Sequence, residues 1–270
     1  VLYGDMSHRV MTTLASFVPD VEVYSIDEAF LLLDGFEKQN LKELGRKIVE
    51  TIVRNTGIPV SMGIAPTKTL AKVANKFAKK FIDYKGLCLI DTDEKREKAL
   101  QLTAIEDVWG IGRQYSKMLA YHGIRTAWDF TKKSKAWVRR NMSVTGERTW
   151  LELQGNPCIE MEHVAAKKSI CTSRSFGERL TEYAPVSEAV ANFAANCAEK
   201  LRKQHSKAML LTVFIHTNPF STSQLQYFNQ KTVPLPVPTN DSAELIHHAL
   251  KALKAIFAEG YLYKKAGVFV

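Results

Sequence analysis

The sequence has few cysteines and no long apolar run, and both absences narrow the classes of protein it can belong to. Its four cysteines include no Cys-x-x-Cys pair, so neither a disulfide framework nor a thiolate zinc site is indicated. No apolar stretch approaches the roughly 20 residues that span a bilayer, and the first residues lack the charged-then-apolar layout of a signal peptide. The seven histidines form no ligand cluster. We therefore expect a soluble protein of a reducing compartment.

What the sequence does have is the composition of a folded protein, with 270 residues, 46% hydrophobic and 24% charged. This composition excludes a disordered tail or a collagen-like fibre, and the length suits one large domain or two to three small ones. Residues 1–95 hold 13 Lys+Arg and 13 Asp+Glu, whereas residues 96–270 hold 24 and 15 and carry the whole net charge of +9. A basic two-thirds favours a polyanionic partner, although a solvated basic surface would give the same count.

Local patterns divide the chain into three segments and predict an α+β, multidomain fold. Residues 1–95 alternate helices (6–17, 40–56, 67–81) with strands (21–25, 29–33, 59–64). Residues 96–163 show short helices separated by glycines, which is typical of a small all-helical module, and an irregular stretch to about residue 166 suggests a linker. The last segment has strands at 168–176, 208–217, 224–235 and 262–270 and helices at 185–204 and 241–259. That order, β-α-β-β-α-β, is ferredoxin-like, and Asp241 with Glu244 forms a capping-box pattern at the second helix, which we expect to stop at Gly260.

The most informative motif is a pair of adjacent acids, Asp27 and Glu28, between two strand-like runs. Buried carboxylates without partners are costly, so we expect the pair at a hairpin tip, where both side chains emerge into one cleft. A hard cation such as Mg²⁺ takes a few such oxygens together with substrate phosphates, and two such ions would suit phosphoryl transfer. An exposed acidic turn without function is the plainer interpretation of two residues taken alone.

The helix predicted at 67–81 carries five lysines, and spacings of three and four place most of them on one face: the five are Lys68, Lys72, Lys76, Lys79 and Lys80. Like charges at i,i+4 destabilise a helix by about 0.2–0.5 kcal/mol per pair. A triphosphate or a nucleic-acid backbone nearby would offset this repulsion, and a solvated amphipathic helix is the alternative.

A second phosphate motif is the turn 108–113, with the sequence VWGIGR. A Gly-x-Gly turn that leads into a helix presents backbone N–H groups and the positive end of the helix dipole to a phosphate. No third glycine follows and no strand precedes it, which separates it from a dinucleotide fingerprint. The spacing is that of a helix-hairpin-helix, which holds the DNA backbone without reading sequence, or of a simple packing corner. Arg113, Lys117 and Arg125 favour the phosphate interpretation.

Basic and hydroxyl residues alternate along the first strand of the last segment: Lys167, Lys168, Ser169, Ser173, Arg174, Ser175 and Arg179. Phosphate contacts use Arg, Lys and Ser without specifying bases, so this surface suits tracking along a sugar-phosphate backbone. The polar face of a half-covered sheet is the alternative.

Three motifs, in this order, resemble those of the Y-family translesion DNA polymerases: SIDEAF at 25–30, GIAPTKTLAK at 63–72 and DVWGIGR at 107–113. Two more motifs, SRSFGER at 173–179 and KAGV at 265–268, resemble those of the UmuC-type branch of that family. The catalytic subunit of bacterial DNA polymerase V belongs to this branch. The resemblance runs along essentially the whole chain. It implies an error-prone, DNA-directed DNA polymerase that adds nucleotides from dNTP to a primer 3′-hydroxyl opposite damaged template in the SOS response.

The resemblance also implies roles for segments and residues. Residues 1–95 would be most of the palm, 96–163 the thumb, and 164–270 a linker and the little-finger DNA-binding domain. Asp27 and Glu28 match catalytic acids that bind Mg²⁺, Lys79 matches a lysine that contacts the triphosphate, and Gly110 with Gly112 matches the thumb hairpin. The implied partners are primer–template DNA, a UmuD-like dimer, the sliding clamp and a recombinase filament, in the bacterial cytoplasm at the nucleoid.

Members of that family also have parts that nothing in this sequence matches: a first strand with a further metal-binding Asp, a steric-gate aromatic, the fingers and a clamp-binding tail. We therefore expect a fragment that lacks one metal ligand and much of the nucleotide pocket and does not extend primers alone. Two other hypotheses stay open, a non-catalytic DNA-binding or assembly module of a DNA-damage response complex, and another palm-type phosphoryl-transfer enzyme such as a nucleotide cyclase. The helix-hairpin-helix and the basic two-thirds argue against the cyclase.

Overall fold

The apolar periodicities of the sequence correspond to helices and short strands in a computed structural model, which describes residues 2–36, 38–162 and 167–270. The chain divides into two units, residues 1–164 and 165–270. The first unit contains the elements α1 (Leu2–Ala15), β1 (Val21–Val23), β2 (Ala29–Leu31), α2 (Leu41–Thr56), β3 (Met62–Ile64), α3 (Lys68–Lys80), β4 (Leu87–Leu89), α4 (Asp93–Leu102), α5 (Arg113–Tyr121), α6 (Ala127–Thr131) and α7 (Lys135–Leu153). The predicted linker is irregular from 155 to 162, and its residues 163–166 lie outside the described residues.

Two small sheets organise the start of this unit. Strands β1 and β2 form an antiparallel hairpin in which Glu22 lies opposite Phe30. Strand β3 pairs in parallel with β4, and α3 connects them as a βαβ unit. Gly63 makes this packing possible, because a Cβ atom there would collide with the backbone of Ala71 and Asn75 in α3. Strand β4 was not predicted from the sequence, since three residues are too few to show a period.

Helix α3 shares a hydrophobic core with the helices that follow it. Leu70 is fully buried in one cluster with Leu100 of α4, Leu119 of α5 and Phe130 of α6. On its other side, Val73 and Phe77 pack in a second cluster with Cys88 of β4 and Ala99 of α4. The lysine-rich helix is therefore fixed on two sides, and its remaining face is left for polar partners.

The second unit confirms the predicted order β-α-β-β-α-β: β5 (Cys171–Leu180), α8 (Tyr183–Lys203), β6 (Ala208–His216), β7 (Phe228–Thr239), α9 (Ser242–Ile256) and β8 (Tyr263–Phe269). Its antiparallel sheet has the order β5-β8-β6-β7, so the closing strand β8 lies between the two strands that α8 connects. Both helices cover one face of the sheet, where Val190, Cys197, Leu245, Leu253 and Val268 are fully buried.

Three predicted details of this unit are wrong. Strand β7 begins at Phe228 rather than at residue 224, because side-chain hydrogen bonds of Thr217 and Gln226 hold the preceding loop. Only half of the predicted capping box forms in α9. The Asp241 carboxylate accepts from the N–H of Glu244 at 2.9 Å, but the N–H of Asp241 donates to Thr239 instead of to Glu244. The helix also ends at Ile256, before Gly260.

Candidate functional site

The adjacent acids lie in the tight loop that joins β1 to β2. The N–H groups of Tyr24 and Ser25 both donate to the carbonyl oxygen of Glu28 at 3.0 Å, which closes the loop. The Ser25 hydroxyl donates to Oδ1 of Asp27 at 2.6 Å and holds the pKa of this exposed carboxyl below its ordinary value. The positive charges of Lys79 and Lys72 lower the same pKa further. Asp27 is therefore a carboxylate at neutral pH.

Both acids line one cleft of about 1620 Å³ in the first unit, as their position at a hairpin tip predicts. The lysines Lys68, Lys72 and Lys79 of α3 line the same cleft. Apolar side chains of α1, α2 and β2 form much of the remaining wall, including Met11, Ile48 and Leu31. A concave, largely apolar site with a few convergent charged groups is the usual form of a substrate pocket.

Three of the five α3 lysines form ion pairs, one at each successive turn of the helix. Lys68 pairs with Glu22 of β1, Lys72 pairs with Glu28 at 2.7 Å, and Lys76 pairs with Asp107, which precedes the Gly-x-Gly turn. Carboxylates of the protein itself thus offset the repulsion for which the sequence suggested a phosphate. In the part of the chain that the structure describes, Lys79 has no ion pair, and it lies on the cleft.

Glu22 and Glu152 are buried acids that sequence reasoning missed. Lys68 and Glu22 are only 10% and 8% exposed, and the N–H of Glu162 donates a second bond to Glu22 at 2.7 Å. The Glu152 carboxylate accepts from the N–H groups of Thr69, Cys158 and Ile159 at 2.8–3.1 Å. Both acids fasten α3 to distant parts of the chain, and no local sequence pattern marks such long-range partners.

The donor set of the acid pair fits a hard divalent cation. Asp27 and Glu28 supply carboxylate oxygens on one cleft, and in the described ranges Asp27 has no ion pair while Glu28 has the one with Lys72. No cluster of three or more His, Cys, Asp or Glu side chains suited to a metal occurs within those ranges. Mg²⁺ is commonly bound through one or two carboxylates, with water and substrate phosphates as its other ligands. The pair therefore fits part of such a site.

The Gly-x-Gly turn lies at the start of α5, as predicted. Gly110 has φ of +91°, and a Cβ there would lie 2.7 Å from Oγ1 of Thr149, so both conformation and space require glycine. Gly112 is the N-cap of α5 with an ordinary φ of −80°, and open space surrounds it. Arg113 and Lys117, in the first two turns of α5, are exposed. The turn presents a helix N-terminus flanked by two exposed cations.

The basic and hydroxyl residues of β5 divide between two faces of the sheet. Ser173 lies opposite Gly267 and Ser175 opposite Lys265, on the face that the helices leave open. Arg174 lies opposite the buried Ala266, on the side of the helices. Lys168 precedes the strand, Arg179 lies in the irregular stretch between Ser175 and Leu180 where the register shifts, and both are exposed. The residues predicted to form one row are therefore divided into two groups, and the serines are the group on the open face.

This architecture matches a solved structure, the Y-family DNA polymerase chimera Dbh-Dpo4(243-245)-Dbh. The TM-score is 0.75 at 21% identity, and the match covers 100% of this chain and 75% of that one. The fold is that of a Y-family DNA polymerase.

Family models and sequence relatives narrow the class. The model of the impB/mucB/samB family matches residues 1–76, and the model of its C-terminal domain matches residues 167–270. The chain belongs to this family, the UmuC type of the Y-family DNA polymerases.

Among its relatives, the protein UmuC of Salmonella typhimurium is 45% identical over 272 residues, which cover 100% of this chain and 64% of UmuC. DNA polymerase IV of Staphylococcus aureus is 26% identical over 251 residues, which cover 92% of this chain and 75% of that protein. The chain spans about 64% of the length of UmuC and likewise of SamB, ImpB and MucB. No helix among the described residues has the length and apolar character needed to cross a membrane.

Proposed function

We propose that this chain carries catalytic acids and DNA-binding surfaces of an error-prone translesion DNA polymerase. The reaction is nucleotidyl transfer from dNTP to the 3′-hydroxyl of a primer opposite a damaged template base. The observation that carries the proposal is the acid pair Asp27 and Glu28, which shares one cleft with Lys79 in a member of this family. The UmuC relationship and the Y-family fold support the class of reaction.

Within this proposal, the surroundings of Asp27, Glu28 and Lys79 support a specific role for each of them in the reaction. Asp27 is ionised and free of ion pairs in the described ranges, so it is available to a cation from neutral to mildly acidic pH. Asp27 and Glu28 together would hold Mg²⁺, which when bound neutralises phosphate charge during transfer. Lys79, which forms no ion pair with the residues that the structure describes, would offer its ammonium to the triphosphate of the incoming nucleotide.

The DNA would be held by its backbone in both units. The Gly110 and Gly112 turn, with Arg113 and Lys117 beside it, presents N–H groups and positive charge to a phosphate. In the second unit, contacts would come from Lys168, Ser173, Arg174, Ser175 and Arg179. Residues 1–95, 96–163 and 164–270 would act as palm, thumb, and linker with little finger. Such contacts position DNA without reading its sequence, which suits a polymerase that copies any template.

The proposal extends to partners and place. Relatives of the UmuC type imply a UmuD-like dimer, the sliding clamp and a recombinase filament, and we expect the protein at the nucleoid in the bacterial cytoplasm. Pull-down of a purified clamp or of a UmuD-like dimer by this chain would test each partner separately.

The test of the catalytic role is primer extension on a damaged template by a chimera in which this chain replaces the matching residues of UmuC. Asp27→Asn with Glu28→Gln is expected to abolish extension while duplex binding stays intact. Lys80→Gln is the matched control, because Lys80 is exposed on α3 and forms no ion pair within the described ranges. Extension that survives the acid substitutions would contradict catalysis by these acids and favour a non-catalytic assembly module.

A further inference from the structure

Lys72 contacts a carboxylate and three aromatic rings at once. Its Nζ lies 2.7 Å from Oε2 of Glu28. The same atom lies 4.6 Å from the ring centroid of Tyr24, 5.7 Å from that of Phe30 and 5.8 Å from that of Trp109. All three distances are within the range of about 6 Å in which a ring face attracts a cation. Tyr24, Phe30 and Trp109 together form an aromatic cage.

The aromatic cage is held together independently of Lys72. The indole N–H of Trp109 donates to the Tyr24 hydroxyl at 3.1 Å. Each pair of rings has its centroids 5.5–5.7 Å apart in edge or tilted contact, a geometry that is favourable for aromatic pairs. Its members come from the hairpin loop, from β2 and from the turn before α5. The three rings therefore have direct contacts with one another in addition to those with Lys72.

A second lysine pair on the same helix shows what a permanently fixed pair looks like. Lys68 and Glu22 are almost fully buried, and each has a further backbone partner, Glu160 for the lysine and Glu162 for the acid. By contrast, Lys72 and Glu28 are 19% and 33% exposed. In the described ranges no side chain other than Lys72 bonds to the Glu28 carboxylate. The Lys72–Glu28 pair has the access to solvent, and lacks the extra bonds, expected of a pair that exchanges partners.

We propose that Lys72 is a displaceable cation at the acid pair: in the absence of metal it bonds to Glu28, and when a divalent cation binds it gives up that bond and is retained by the aromatic cage alone. This rests on the proposed function, because it requires that Asp27 and Glu28 bind such a cation. An ammonium and a divalent cation on the same carboxylate oxygen repel each other, at several-fold cost in affinity even when water screens them. The ring faces lower that cost, because they retain the ammonium a short distance from the oxygen it leaves.

The mechanism predicts opposite effects for two substitutions. Lys72→Met removes the competitor and is expected to tighten Mn²⁺ binding by about fivefold or more, whereas Lys72→Arg keeps the charge and is expected to stay near the wild type. Trp109→Ala removes part of the cage and is expected to weaken Mn²⁺ binding. In a Lys72→Met background, Trp109→Ala is expected to have no effect, because the cage acts only through Lys72.

The experiment is a titration of the 270-residue chain with Mn²⁺ alone, in which electron paramagnetic resonance measures the free ion. Circular dichroism checks that each variant is folded, and Lys76→Met controls for loss of one positive charge on the same helix.

Two results together support the proposal. Asp27→Asn with Glu28→Gln abolishes Mn²⁺ binding, and Lys72→Met tightens it. Equal or weaker binding by folded Lys72→Met, or a Trp109→Ala effect of equal size in both backgrounds, overturns the displacement and leaves the metal site standing. No Mn²⁺ binding at the acids in the wild type overturns the metal site and the displacement together.

Discussion

Helix α3 of the first unit and strand β5 of the second are both marked by clustered basic residues, yet the two clusters have different surroundings. Lys68, Lys72 and Lys76 each form an ion pair with an acid outside the helix. Arg174 and Arg179 of β5 are exposed, and no ion pair of theirs occurs in the described ranges. The same signal in the sequence thus corresponds to internal charge pairing in one region and to free surface charge in the other.

The difference teaches that a lysine cluster indicates a phosphate only after its acidic partners have been located. Lys68 lies 46 residues from Glu22 along the chain, and Lys72 lies 44 residues from Glu28. Such pairs carry no local pattern, because they depend on how the hairpin packs on α3. Lys79 is the α3 lysine that both lines the cleft and lacks a pair in the described ranges, so it is the one left for a ligand.

The largest expected effect comes from breaking the buried pair. Lys68→Met leaves Glu22 charged and without its main partner in the interior, and is expected to lower the free energy of unfolding by about 3–5 kcal/mol. Arg174→Gln in β5 is expected to change it by less than about 0.5 kcal/mol, because the side chain is exposed. Urea unfolding of both variants measures the contrast.

An equal loss of unfolding free energy in Lys68→Met and Arg174→Gln would contradict the distinction between the two regions. If the two units unfold in separate transitions, the distinction can still be tested, because Lys68→Met should then shift only the transition of the first unit.

A smaller effect on the free energy of unfolding is expected from glycine substitutions. They distinguish the tightly packed parts of the candidate phosphate-binding surfaces from the parts open to solvent. Gly267→Ala places a Cβ against the ring of Phe214 and the Cβ of Ser173, and is expected to lower the free energy of unfolding by about 1–3 kcal/mol. Gly112→Ala meets open space at an ordinary φ and is expected to preserve stability. Thermal unfolding measures both, and a destabilised Gly112→Ala would show that the turn before α5 is packed rather than open to a ligand.

The smallest expected effect concerns the acid pair itself. Ser25→Ala removes the hydroxyl that donates to Asp27, so the pKa of Asp27 should rise toward its ordinary value. Since the folded-state pKa is lowered, the stabilisation from ionised Asp27 is present above the unfolded-state pKa and is lost as the pH falls through the folded-state value. Its size is small because the carboxyl is exposed. Carboxyl NMR titration measures the shift, and an unchanged pKa would assign the lowering to the lysines instead.

Much of the fold follows from the sequence, because its longer elements have clear periods. The amphipathic helices α2, α3 and α9 were predicted within a few residues, and Asn40, Thr67 and Asp241 cap them with side-chain oxygens. The three-residue strand β4 was missed because three residues are too few to show an alternating pattern. Strand β7 continues to Thr239, beyond its predicted end at residue 235, because an edge strand tolerates prolines, here Pro236 and Pro238.

The site was predicted in part for the same reason. The acid pair and the Gly-x-Gly turn are contiguous motifs, so their local geometry could be inferred from spacing. The aromatic cage joins Tyr24 to Trp109, 85 residues away, and Glu152 holds the start of α3 across 83 residues. Contacts of that kind are set by tertiary packing, which spacing along the chain does not encode.

The most direct measurement is the salt dependence of duplex primer–template binding by three forms of this chain: the wild type, Lys168→Gln/Arg174→Gln/Arg179→Gln, and Lys72→Gln/Lys76→Gln. Affinity should fall log-linearly with salt at roughly 0.9 per neutralised phosphate. If the second unit's free cations hold DNA and the paired α3 lysines do not, the triple variant should have a shallower slope and the α3 variant the slope of the wild type. An unchanged slope in the triple variant, or an equal reduction in both, would contradict the distinction between the two basic clusters.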